Sequence, residues 1–131
     1  MYNNPILYDD IMWWKKDDID FWLSLIKENK SVKVLELCCG TGRIGLPMIN
    51  QDLDYYGIDL SKNFINHFKS KIQKSNYNKD NIKIADVRQF NLNQTFDLIF
   101  IGFNSLAHLI TNQDVIDCLN TIKIHMHSKT I

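Results

Sequence analysis

An excess of charge is the first thing missing from this 131-residue sequence: fifteen Lys and Arg are matched by fifteen Asp and Glu. No basic stripe or block of like charge stands out, which argues against nucleic acid or a membrane surface as an obligatory partner. Missing too is any run near the ~18 apolar residues of a membrane span. The N-terminus shows no basic segment followed by an apolar run, so a cytoplasmic location is the default expectation. Cysteine is scarce and odd in number, with Cys38, Cys39 and Cys118. No C-x-x-C or Cys/His ligand spacing appears, and His125 and His127 have no third ligand nearby. Neither a disulfide framework nor a metal is therefore expected, and the thiols read as reduced. No repeat, low-complexity tract or linker interrupts the chain, so residues 1–131 read as one domain.

What is present is a composition 45% hydrophobic and 23% charged, enough apolar side chains for a real core. Asp17 and Asp18 supply N-cap candidates for a helix reaching about Asn29, with Ile19, Trp22, Leu25 and Ile26 on one face. The β-branched and apolar run Val32 to Leu37 predicts a buried strand, broken by Gly40-Thr41-Gly42. A helix from about Arg43 to Asn50 follows, with Pro47 tolerable near its first turn. Tyr55 to Asp59 is a second strand, and Ser61 caps a helix of about Lys62 to Lys74 carrying Ile65, Phe68 and Ile72. Ile82 to Ala85 and Phe96 to Ile101 are the third and fourth strands. A last helix, about Gln113 to Met126, is expected to turn Val115, Ile116, Leu119, Ile122 and Met126 inward. Apolar strands alternating with helices predict an α/β, doubly wound, mostly parallel sheet of order 3-2-1-4, with helices on both faces. Ligands in such sheets bind at the carboxyl ends of the strands.

The residues just after each strand are therefore the ones to weigh. After the first come Glu36-Leu37-Cys38-Cys39-Gly40-Thr41-Gly42-Arg43. The glycines let the backbone turn sharply and a ligand approach, and the next helix offers free N–H groups. Asp59 closes the second strand, about 20 residues past the loop, where a carboxylate can accept both hydroxyls of a ribose. Asp86 follows the third; an acceptor there suits the exocyclic amine of an adenine, with the Val87 N–H available to a ring nitrogen. Gly102-Phe103-Asn104-Ser105-Leu106-Ala107-His108 follows the fourth. Gly40 to Gly45 is also a literal G-x-G-x-x-G, and a nicotinamide dinucleotide site keeps a ribose acid where Asp59 stands. Two features weigh against that reading: Glu36 lies four residues before the first glycine, where the fingerprint has no use for an acid, and the glycines do not follow the strand directly.

Val34-Leu35-Glu36-Leu37-Cys38-Cys39-Gly40-Thr41-Gly42-Arg43 resembles the first motif of class I S-adenosylmethionine-dependent methyltransferases. Tyr56-Gly57-Ile58-Asp59-Leu60-Ser61 resembles their acidic second motif. Ala85-Asp86-Val87-Arg88-Gln89-Phe90 and Phe96-Asp97-Leu98-Ile99 are similar to the third and fourth. Asn104 to Leu109 is similar to a loop of small-molecule members, sugar and glycine-type N-methyltransferases among them. Tyr8-Asp9 resembles the N-terminal lid tyrosine of the sugar-modifying ones. The likeness runs from about Val32 to Met126. It implies S-adenosyl-L-methionine as cofactor, with Glu36, Cys38, Gly40, Thr41, Gly42 and Arg43 around the methionine moiety. It further implies Asp59 and Leu60 at the ribose, Asp86 and Val87 at the adenine, and Asn104 near the transferred methyl. Cys38 stands where the family usually has glycine.

The function expected is methyl transfer to a small-molecule acceptor, an in-line displacement that needs chiefly proximity and orientation. Were a base required, His108 or Tyr8 would supply it. Family members continue past the last helix with further strands, whereas this chain stops at His127-Ser128-Lys129-Thr130-Ile131. A shortened reading frame, a fragment and a sheet completed by a homodimer are three competing explanations. An exposed apolar fourth strand is the expected consequence. The alternatives are a non-catalytic S-adenosylmethionine-binding or regulatory module and, behind it, an NAD-dependent oxidoreductase.

Overall fold

A computed structural model describes residues 4–29 and 33–131. Its first element was not foreseen: α1 (Pro5–Met12) is a short helix started by Asn4, whose side chain accepts from the Leu7 N–H at 3.1 Å. Pro5 takes the first helical position, where a missing N–H costs nothing. α2 (Asp17–Asn29) follows as expected, burying Ile26 and packing Ile19, Trp22 and Leu25 on the core. Trp22 stacks on Phe100 with ring centroids 4.3 Å apart.

The sheet consists of β1 (Lys33–Leu37), β2 (Asp54–Asp59), β3 (Ile82–Ile84) and β4 (Leu98–Ile101). Val32, the expected first residue of β1, lies outside the described residues. All pairings are parallel and the order is β3-β2-β1-β4, as the sequence predicts. Between the strands run α3 (Gly45–Asn50), α4 (Lys62–Lys71) and, after β4, α5 (Asn112–Lys123). α3 begins two residues later than expected because Gly40 to Ile44 are spent on the turn. Pro47 falls at its third position, inside the first turn, where no intrahelical N–H is forfeited. Ser61 caps α4, accepting from Phe64 N at 3.3 Å.

Side chains alternate across the pleat, so successive β1 residues serve opposite layers. Val34, Tyr55, Ile82, Leu98 and Phe100 face α2, α3 and α4 through Ile26, Met48 and Phe68. Leu35, Leu37 and Ile58 form the other layer with Val87, Phe90, Phe96 and Cys118 of α5. Among the described residues no helix is long and apolar enough to cross a membrane.

Two expectations need correction. Along α5 the buried positions are Cys118 and Thr121, followed by His125, while Ile116 (49%), Leu119 (56%) and Met126 (43%) are exposed. Only Val115 and Ile122 of the expected face turn inward, each partly. Polar tethers set this rotation. The Thr121 hydroxyl donates to the Arg88 carbonyl at 2.9 Å, and His125 Nε2 accepts from Leu92 N at 2.9 Å while its ring stacks on Phe90. Second, the outer edge of β4 is partly paired. Ile131 donates to the Asp97 carbonyl and accepts from Ile99 N, both at 3.0 Å, and Phe96 forms a parallel bridge with Met126. Phe96 thus belongs to that edge ladder rather than opening β4.

Candidate functional site

Above the carboxyl ends of the strands lies a cleft of about 540 Å³, walled by residues from six places in the chain, Phe64 of α4 among them. Cys38 and Gly40 come from the turn after β1, Asp59 to Ser61 from the end of β2, Ala85 to Arg88 from the end of β3, Ser105, His108 and Leu109 from the segment after β4, and Tyr8 from α1.

The glycine turn is shaped from within the chain. Gly40 and Gly42 have φ of +56° and +81°, the left-handed region where a side chain is strained. A Cβ on Gly42 would also collide with the Phe68 ring, so that glycine serves packing and lies outside the cleft lining. Cys38 shares the conformation, with φ of +57°, although it carries a side chain. Its thiol lines the cleft; burial, with Asp59 and Cys118 adding to it, pushes the pKa up to about 12, so it stays a thiol.

Asp59 is the hub of the turn. One carboxylate oxygen accepts from Gly40 N at 2.9 Å and the other from Ser61 N at 2.8 Å. Each oxygen keeps a further lone pair, and Asp59 lines the cleft. Leu60, 68% exposed, adds an apolar surface beside it. Asp86 is placed at the same cleft but is already engaged. Arg88 donates to it from its backbone at 2.9 Å and from its guanidinium at 2.6 Å, and reaches on to Asp114 of α5 at 2.7 Å. Those bonds hold the Asp86 carboxyl below the usual carboxylate range. Val87 is buried beside it.

Behind the turn the floor forms a smaller chamber of about 30 Å³ that shares Tyr8, Cys38, Gly40 and Ser105 with the cleft and reaches Glu36, Thr41, Arg43 and Gly102. Glu36 is 3% exposed and accepts from the Tyr55 hydroxyl at 2.6 Å. Burial pushes its pKa up to about 8, against the pull of Tyr55 and Arg43. The guanidinium of Arg43 clasps Asp18 at 2.6 and 2.7 Å and the Lys15 carbonyl at 2.7 Å, tying α2 to the turn. Thr41 donates to Asp9 at 2.5 Å, and Asp9 also binds His67 and Lys71 of α4. Thr41 and Arg43 therefore hold the two N-terminal helices against the site.

The structure thus brings Glu36, Cys38, Gly40, Thr41, Arg43, Asp59, Leu60, Asp86, Val87, His108 and Tyr8 around one cleft and its inner chamber. Asn104 is not among the lining residues; it is exposed and starts the 3₁₀ turn Ser105–His108, so Ser105 occupies the wall instead. Sequence reading gave no role to Arg88 or Tyr55, whereas Ser105 lies in the polar segment weighed after the fourth strand. The only sequence signal for Arg88 was a cation two residues from Asp86. Tyr55 read as an ordinary strand residue.

Comparison with known proteins fits this geometry. A family model described as a methyltransferase domain matches residues 34–128, and the chain belongs to that family. It is 28% identical over 119 residues to the putative methyltransferase YqeM of Bacillus subtilis, covering 88% of this chain and 47% of that protein. The crystal structure of an S-adenosylmethionine-dependent methyltransferase from Clostridium acetobutylicum shares the fold at a TM-score of 0.80 and 22% identity, over 95% of this chain and 52% of that one. The glycopeptide N-methyltransferase MtfA, solved with S-adenosyl-L-methionine, superposes at 0.64 and 20% identity, over 75% and 44%. The chain spans about half the length of these relatives.

Proposed function

We propose that this chain binds S-adenosyl-L-methionine in the strand-tip cleft and transfers its methyl group to a small-molecule acceptor. The observation that carries the reading is the convergence of Gly40, Asp59 and the Asp86-Val87 pair on one cleft in a chain of the methyltransferase-domain family. The residues fit such a ligand. Asp59 has lone pairs left for two vicinal hydroxyls, Leu60, Phe64 and Val87 offer flat apolar walls for a purine, and Glu36 gives the inner chamber an acid for an ammonium group.

When bound, the cofactor supplies an electrophilic methyl on a sulfonium. The protein's part is to hold that centre in line with the acceptor and to keep water out. Tyr8 closes the cleft from α1 while Ser105 and His108 close it from the far side. Either His108 or Tyr8 would take a proton from an acceptor that must lose one. The segment 98–111 carries no Asp, Glu, Lys or Arg, which favours an uncharged acceptor.

Calorimetry with S-adenosyl-L-methionine tests the reading: micromolar binding with methyl turnover supports it, binding without turnover leaves the non-catalytic module, and no binding removes both. Asp59→Ala is expected to weaken binding ten- to a hundredfold, from the ~1.5–3 kcal/mol of a charged hydrogen bond. Unchanged affinity would refute the ribose assignment.

A further inference from the structure

Glu36 and Tyr55 stand on neighbouring parallel strands, out of register by one pleat. Glu36 lies opposite Gly57, and Tyr55 lies two residues before Gly57, opposite Val34. Side chains two apart share a face, so the phenol of Tyr55 must pass over position 57 to reach Glu36. Glycine there makes the crossing open: a Cβ on Gly57 would sit 2.9 Å from the Tyr55 hydroxyl, and one on Gly45 of α3 would collide with it outright. Two glycines and a fully buried tyrosine are thus arranged to bring one hydroxyl to one carboxylate oxygen, Oε2, at 2.6 Å.

The other oxygen, Oε1, lies 3.6 Å from where a Cβ of Gly102 would be, and both residues line the inner chamber. Among the described residues Tyr55 is the hydrogen-bond partner of Glu36, and Oε1 is left to the chamber. The chamber is of the size that holds one small polar group. The charged and titratable groups around Glu36 do not supply a free cation. Arg43, from the turn before α3, is bound to Asp18 of α2; Asp59 of β2 is an acid, and burial pushes the Cys39 thiol after β1 well above its ordinary pKa, so it stays neutral. Tyr8 of α1 adds a neutral wall.

We propose that Tyr55 positions Glu36 as a proton-exchanging site for the ammonium end of the ligand, so that ligand binding expels one proton from the chamber. This rests on the function proposed above. In the free protein Oε2 accepts from Tyr55 and a proton resides on Oε1. An entering ammonium needs a carboxylate acceptor, so that proton leaves to solvent and three N–H donors take its place. Burial, which holds the Glu36 carboxyl up near 8, keeps the free site mostly protonated at neutral pH. Tyr55, whose own pKa burial and Glu36 push well above the usual value, remains the donor.

Titration calorimetry at pH 7 in two buffers of different ionisation enthalpy counts the released protons. S-adenosylhomocysteine is expected to release about one, and 5′-methylthioadenosine, which has no ammonium group, none. Glu36→Gln is expected to abolish the release and weaken S-adenosylhomocysteine while leaving methylthioadenosine affinity unchanged. Tyr55→Phe removes the bond that favours the carboxylate. It should move the pH at which release is half complete upward by about one unit, a shift that loss of packing alone does not produce. Binding of both ligands without proton release overturns this inference and leaves the cleft assignment standing; failure of both to bind overturns the two together. A wild-type midpoint in Tyr55→Phe overturns the role of Tyr55.

Discussion

Cys38 shows how one side chain can set the character of the site. Its φ of +57° costs an L-residue about 1 kcal/mol or more, a cost that glycine does not meet. Cys38→Gly should therefore be neutral to mildly stabilising, the relief of strain offset by the greater entropy of glycine in the unfolded chain. It should also widen the cleft and tighten S-adenosylhomocysteine binding. Cys38→Val, β-branched at the same backbone angle, should lose about 2 kcal/mol in urea unfolding. Equal stabilities for the two variants would refute the strain. Glu36 makes a second residue-scale case. Its carboxyl titrates near 8 when folded and near 4.3 when unfolded. Between those values the folded state binds the extra proton, so stability falls as pH rises, by up to about 1.4 kcal/mol per unit, and levels off above 8. Glu36→Gln removes that slope. The variant should match the parent near pH 4 and melt progressively higher than it toward pH 8; parallel melting curves would exclude it.

At the scale of elements, α1 has little apolar anchoring of its own, with only Met12 buried. What docks it is Asp9, shared among Thr41 of the turn and His67 and Lys71 of α4, with Tyr8 packed on Phe64 at 5.3 Å. Burial raises the Asp9 pKa, but the bonds from Lys71, Thr41 and His67 outweigh it and hold the carboxyl below its usual range. Its contribution is thus present above the unfolded value of about 3.9 and lost as pH falls through the folded one. Asp9→Ala is expected to cost about 1–2 kcal/mol and to speed amide exchange over residues 5–12 well beyond its effect on β1. Uniform acceleration across the sheet would instead mean a general loss of stability.

For the whole molecule, the parallel sheet is covered on both faces, but its surface is uneven. Ile110, Ile116, Leu119, Ile124 and Met126 stand exposed around α5 and the approach to β4, whose outer edge ladder, among the described residues, is paired only from Phe96 to Ile99. Scattered apolar residues are ordinary on a protein surface, whereas several next to an incompletely paired strand favour contact with a second copy. Self-association is the proposed consequence. Light scattering should show mass rising with concentration, and Ile116→Lys with Leu119→Lys should reduce it. A strict monomer at high concentration would refute it.

Much of this was legible in the amino-acid order because local chemistry settles it. The apolar runs at Leu35, Ile58 and Leu98 and the cap at Ser61 are features of neighbouring residues, as are the glycines at 40 and 42 and the acids at strand ends. They specified the parallel sheet, its order and the side on which the cleft opens. What only the tertiary structure decided depends on residues far apart in the chain. The rotation of α5 was set by Thr121 and His125 bonding to a distant loop, not by its own apolar spacing, and α1 is held by polar contacts that carry no periodic signal. The chain's last residues cover part of β4, which sequence reading had left bare. The bond from Tyr55 to Glu36 joins residues 19 apart across two strands and depends on Gly57 between them, so no single stretch of sequence contains it.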